Sequence, residues 1–149
     1  MNTMQVELAG RYRLTSELLA AGLQVAIPVY DDGVDLLAYH LGDGEVAARP
    51  IQLKASTKRA FALDRKYEKR ANLIMAYVWH VVDPDQATTY AMPYKEAATI
   101  AKKLGWTKTQ SWAKGKYSNN NPGARVRQLL EPHAMSPGAW RNLIGGREV

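Results

Sequence analysis

Gly33-Val34-Asp35-Leu36-Leu37 and Ile51-Gln52-Leu53-Lys54 are two apolar runs, each interrupted by polar groups that packing does not call for. Burying an unpaired charge costs several kcal/mol, so an Asp in one run and a Lys in the other need a shared reason. Side chains alternate along a strand, which sets Gln52 and Lys54 on one face and Ile51 and Leu53 on the other. Between the runs lies Leu41-Gly42-Asp43-Gly44-Glu45, whose Asp-Gly pair is a favoured two-residue hairpin turn. A hairpin closed at Asp43-Gly44 sets Asp35 opposite Gln52 and on the same face, with Lys54 one step along. Pro50 cannot donate to a ladder and is the residue that could force a bulge into this register.

The elements around the hairpin are ordered. Val6 to Ala21 reads as a helix closed by Gly22, and Leu23-Gln24-Val25-Ala26-Ile27-Pro28-Val29 reads as a strand. Helix, strand, GVDLL strand and QLK strand in this order resemble the PD-(D/E)xK nuclease superfamily, with its restriction-endonuclease-like fold. The likeness is greatest to the Holliday-junction-resolvase-like and Mrr-like branches, and it covers about the first ninety residues. The resemblance implies a metal-dependent DNA endonuclease that hydrolyses phosphodiester bonds with weakly bound Mg²⁺ or Mn²⁺. It implies Asp35, Gln52 and Lys54 as catalytic residues. Asp35, Gln52 and the Leu53 backbone carbonyl would hold the metal, and Lys54 would orient the attacking water or stabilise charge at the phosphate.

Gln52 stands where the commoner form of the triplet has an acid, as it does in Mrr-like members. Resolvase-like members place a Glu on the first helix, eleven residues before the closing glycine, and Arg11 occupies that place here. Glu7 or Glu17 is left to supply the carboxylate, and Asp31 and Asp32 are further candidates. These substitutions keep an alternative open, a catalytically inactive nuclease-like domain that binds nucleic acid or a protein partner. Read without the resemblance, Asp35 and Lys54 form a partly buried ion pair with Gln52 hydrogen-bonded across the strands.

Charge divides the chain. Residues 1–50 hold three Lys/Arg against seven Asp/Glu, and residues 51–149 hold seventeen against seven. Acidic ligands in the first part and phosphate-binding cations in the second suit an enzyme acting on DNA. Lys58, Arg59, Lys66 and Arg70 follow the Gln-x-Lys triplet directly and are the first candidates for phosphate contact. Trp106 to Tyr117 interleaves aromatics with lysines. Lys114 and Lys116 are candidate nucleic-acid contacts there, with Trp112 and Tyr117 as either stacking surfaces or packing residues and Trp106 and Trp140 as packing residues.

Several classes have no support. Cysteine is absent, which excludes disulfides and thiolate zinc sites and fits a cytoplasmic location. The most apolar stretch, Leu73 to Val82, is too short to span a bilayer, and Met1-Asn2-Thr3-Met4 lacks the features of a signal peptide. His40, His80 and His133 show no metal-ligand spacing, and His80 reads as a core histidine within an apolar strand. There is no hydrolase elbow, Walker loop or dinucleotide fingerprint.

The remainder completes an α/β domain with a mixed sheet flanked by helices. Asn72 to Val82 reads as a central strand and Ala87 to Met92 as its return. Pro93 opens a helix that stops at Gly105, while Asn121-Pro122 and Ser136-Pro137 open two C-terminal helices. A single domain is expected, with its core over about residues 1–105 and a C-terminal extension over about 106–149. Resolvase-like and restriction-type relatives often act in pairs, so the resemblance also implies a homodimer.

Overall fold

The computed structural model describes residues 1–42, Gly44, 46–70 and 72–145. The turn residues Asp43 and Glu45 lie outside the described residues, although both flanking strands are described. Five strands form one sheet in the order β1 (Gln24–Ala26), β2 (Leu36–Leu41), β3 (Val46–Ala55), β4 (Ile74–Trp79) and β5 (Thr88–Pro93) when the small second sheet is numbered apart. That second sheet pairs β6 (Phe61–Asp64) with β7 (Lys116–Asn119), antiparallel. In the main sheet only β3 and β4 run parallel, and the other pairs are antiparallel. The chain is therefore an α/β protein with a mixed sheet.

The β2–β3 register runs from Leu36 opposite Ile51 to Leu41 opposite Val46, as the Asp-Gly turn implies. Pro50 makes no bulge and faces Leu37 in the ladder. Ile51 accepts from Asp35 on the β2 side and Ser56 donates to β4, so odd-numbered backbone groups of β3 point to β2 and even-numbered ones to β4. The missing N–H of Pro50 therefore points beyond the start of β4, where no partner is needed.

Helix α1 (Thr3–Ala20) opens with a capping box, in which Asn2 accepts from the Gln5 N–H and Gln5 accepts from the Asn2 N–H. It lies with α5 (Pro137–Gly145) over one sheet face, where Leu14, Leu18, Trp140 and Ile144 meet Leu36, Ile51 and Ile74. The opposite face is covered by α2 (Tyr94–Lys103), α3 (Gln110–Ala113), α4 (Ala124–Leu130) and the small sheet, around Phe61, Tyr77, Trp106 and Leu130. With a core on each face, all six residues of β4 are buried, which explains its unbroken apolar run. Among the described residues no helix is long and apolar enough to cross a membrane.

Two readings change. The expected first strand is only Gln24–Ala26, and Ile27, Val29 and Tyr30 are exposed beyond it. His80 is not a core strand residue; it is half-buried in the turn after β4, with φ of +54°. Residues 106–145 pack onto the rest of the sheet, since β7 pairs with β6 and Trp106, Trp112 and Trp140 enter the two cores. The polar neighbours of Trp112 concealed this, since one buried indole in a short helix leaves little periodic pattern.

Glycine at position 10 sets how closely α1 approaches β3. A Cβ there would lie 2.5 Å from the Ala55 Cβ and 3.2 Å from Leu53 Cδ2. Glycine costs about 1 kcal/mol against alanine inside a helix, and here that cost admits the close approach. The approach carries the next turns of α1, Glu7 and Arg11, to the lip of the sheet.

Candidate active site

The site forms where β2 ends before β3 does. β2 starts at Leu36, paired with Ile51, whereas β3 continues to Ala55. The Asp35 N–H donates to the Ile51 carbonyl (2.9 Å), and then the chain leaves the sheet. Beyond that point the β2-facing edge of β3 has no strand partner. The Leu53 N–H on this edge donates to Asp35 Oδ2 at 2.7 Å, so the side chain takes the ladder position that β2 vacates. By alternation the Leu53 carbonyl points into the same notch.

A cleft of about 320 Å³ occupies the notch, lined by Glu7, Arg11, Asp31, Asp35, Gln52 and Lys54 together with Gly33, Lys66 and Tyr67. It thus gathers Asp35, Gln52, Leu53 and Lys54, with Glu7 as the first-helix carboxylate. Glu17 does not join them. Its carboxylate accepts from Thr89 Oγ1 (2.8 Å) and Trp140 Nε1 (3.3 Å), tying α1 to β5 and α5. Asp31 lines the cleft, where it accepts from the Gly33 N–H, while Asp32 pairs with Arg70 at 2.8 Å.

Burial raises the Asp35 carboxyl above its ordinary pKa, and the nearby Asp31 charge adds to this. The Leu53 N–H, Arg11 and Lys54 oppose the rise without cancelling it. Arg11 Nη2 stands 3.9 Å from Asp35 Oδ1, a loose pair with both side chains partly exposed. Since the folded pKa is raised, the associated stability is fully present below the unfolded value of about 3.9 and is lost as pH rises through the folded value. Asp35→Asn should therefore melt higher than the wild type at about pH 7, and the gap should close toward about pH 3. Thermal melts across that range measure it. A lower melting temperature for the variant near neutrality would mean that ion pairing outweighs burial.

Gln52 is 5% exposed, and its Nε2 donates to the Tyr67 hydroxyl. Among the described residues its Oε1 has no hydrogen-bond partner although it is buried. The reverse amide orientation would orphan the N–H₂ instead, so one head-group atom is left unpaired either way. An orphaned buried amide normally costs 1–3 kcal/mol, roughly, and such atoms call for a role. Tyr67, which the sequence reading did not single out, holds Gln52 in place. It is packed against Gly33, where a Cβ would fall 2.5 Å from the ring. The glycine of the GVDLL strand thus serves the tyrosine three elements later, a link invisible without the fold.

The donors present suit a hard divalent cation, which takes oxygen ligands. Asp35 Oδ1, the Gln52 amide oxygen, the Leu53 carbonyl and Glu7 are all oxygens at this notch. Among the described residues no group of three or more His, Asp or Glu side chains is poised for a metal, so neutral oxygens must complete such a set. One or two carboxylates are usual for Mg²⁺.

The candidate phosphate contacts differ in exposure and engagement. Lys54, Lys58 and Lys66 are exposed, and Lys66 also lines the cleft. Arg59 is half-buried, and Arg70 is engaged with Asp32. Lys114 and Lys116 are exposed on the C-terminal segment, and β7 carries Lys116 beside Asp64 of β6. Trp112 is buried, and Tyr117 is half-buried and lies against Trp106 with ring centroids 3.8 Å apart. Those two rings are packing residues rather than open stacking surfaces.

No protein-family model, curated protein or solved structure matches the chain.

Proposed function

We propose that the chain is a metal-dependent DNA endonuclease of the PD-(D/E)xK type, acting through Asp35, Gln52 and Lys54. One observation carries the reading: Asp35 and the orphaned Gln52 amide share a notch with the exposed Lys54, at the point where β2 stops. In this reading Asp35, Gln52 and the Leu53 carbonyl hold Mg²⁺ or Mn²⁺, with Glu7 completing the set. When bound, the cation neutralises phosphate charge and lowers the pKa of water.

The chain's own groups do the rest. The Leu53 N–H fixes one Asp35 oxygen and leaves the other turned to the cleft. Tyr67 holds the Gln52 amide in a single position. The Lys54 ammonium meets the phosphate or the attacking water as negative charge develops. Lys58, Arg59, Lys66 and Arg70 bind neighbouring phosphates and release counterions.

Arg11 favours a second reading. Its guanidinium beside Asp35 supplies part of the neutralisation that a cation would give. A chain in which that pair is permanent would be a catalytically silent nuclease-like binder of nucleic acid.

DNA binding itself is tested by salt. Replacing Lys58, Arg59, Lys66 and Arg70 together with Gln should weaken duplex binding roughly 100-fold at moderate salt. It should also flatten the slope of log affinity against log salt by about 3. Fluorescence anisotropy over a salt series measures both. An unchanged slope would mark the cluster as solvated surface and remove DNA from the account.

A further inference from the structure

Arg11 stands in the cleft with its hydrogen-bonding capacity unspent. Its side chain is 33% exposed, and its Nη2 lies 3.9 Å from Asp35 Oδ1, near enough to feel the charge and too far for a hydrogen bond. Among the described residues the guanidinium donates no hydrogen bond. The same helix supplies a contrast. Arg13 and Glu17, four residues apart, pair at 3.4 Å. Glu7 and Arg11 have that spacing in the more favourable order, acid first, yet form no ion pair among the described residues. Both line the cleft instead. The backbone beneath Arg11 is not free to shift, because Gly10 is packed against Ala55 of β3. Movement of the guanidinium is therefore a change of rotamer on a fixed stem.

We propose that Arg11 is a switched contact, counter-ion to Asp35 in the free chain and a fork on the phosphate of the cleaved strand once DNA is bound. A planar guanidinium matches two phosphate oxygens at once. Releasing it breaks only a loose, partly exposed pair. The Leu53 N–H holds Asp35 Oδ2, so Oδ1 is the oxygen that Arg11 uncovers. The inference rests on the nuclease reading and adds a coupling to it. Arg11 competes with a divalent cation for Asp35, and a bound phosphate draws Arg11 away. DNA and the cation therefore bind with positive coupling, each raising the affinity of the other by the same factor. A factor of about 10 is expected, within the usual range for linked sites.

The test uses the full chain carrying Lys54→Ala, which keeps DNA intact in the presence of metal, and it reads binding rather than cleavage. Electron paramagnetic resonance of free Mn²⁺ measures metal affinity, and anisotropy of a short labelled duplex measures DNA affinity. The duplex should tighten Mn²⁺ binding about 10-fold. Adding Arg11→Gln should move the two affinities in opposite directions. Mn²⁺ binding to the free chain should tighten about 10-fold, and duplex binding at saturating Mn²⁺ should weaken about 10-fold. Arg11→Lys keeps the charge without the fork, so its free-chain Mn²⁺ affinity should match that of the parent and its duplex affinity should be intermediate. Tighter Mn²⁺ binding with unchanged duplex binding in Arg11→Gln would overturn the proposal in favour of a permanent counter-ion. Weaker duplex binding with unchanged Mn²⁺ binding would overturn it in favour of a plain phosphate contact. Mn²⁺ binding to no form of the chain would defeat the metal reading itself, and the proposal with it.

Discussion

Asp35→Ala and Lys54→Ala are each expected to reduce Mg²⁺- or Mn²⁺-dependent DNA cleavage by about 1,000-fold or more, with DNA affinity changed only a few-fold. The separation follows from where the charges sit. In the proposed reading Lys58, Arg59, Lys66 and Arg70 would supply ground-state phosphate contacts. Asp35 and Lys54 would act on charge that develops toward the transition state. Gln52→Glu should move in the opposite direction at low metal concentration, since it adds a carboxylate to a site with few. Assays on supercoiled, branched and single-stranded substrates, each with a metal titration, measure all three variants. Cleavage that survives Asp35→Ala would place the chemistry elsewhere. Loss of affinity parallel to activity would mean that the notch serves binding alone.

Gly33→Ala is expected to cost about 2–4 kcal/mol, a fall in melting temperature on the order of 10 °C. Two penalties combine. Gly33 has φ of +81°, which an L-residue adopts at a cost, and the added Cβ would meet Tyr67 Cε1 at 2.5 Å and Oη at 2.7 Å. The ring cannot swing aside freely, because Tyr67 is 3% exposed and bonded to Gln52. Gln52 should lose its anchor in the same variant, so residual activity should fall further than Tyr67→Phe alone produces. Urea melts with the cleavage assay measure both. A fully stable Gly33→Ala protein would mean that Tyr67 is not locked as described.

Much of the site was legible in the sequence, and for a local reason. The Asp-Gly turn and the strict period of two fix a hairpin register without tertiary information. Asp35, Gln52 and Lys54 line one notch, but Asp35 stands outside the ladder, its N–H on the Ile51 carbonyl rather than opposite Gln52 as the turn alone implies. What was not legible depends on contacts between distant segments. Tyr67 follows a charged stretch and carries no periodic signal, yet it locks Gln52. The pairing of β6 with β7 joins residues some fifty positions apart, and neither short strand alternates strongly. Glu17 and Glu7 are equivalent as carboxylates on an amphipathic helix. They lie ten residues apart on different faces of α1, and only the folded contacts show that Glu7 lines the cleft while Glu17 meets Thr89.

The central claim is that Asp35 and Gln52 are placed to hold a divalent cation. Anomalous scattering at the manganese edge, from crystals grown with excess Mn²⁺, tests it most directly. The account predicts one dominant peak at coordination distance from Asp35 Oδ1, about 2.1–2.2 Å, with the Gln52 amide oxygen and the Leu53 carbonyl in the same shell and Arg11 displaced from the carboxylate. Crystals saturated with Mn²⁺ that show no peak there, with Arg11 still against Asp35, would contradict it.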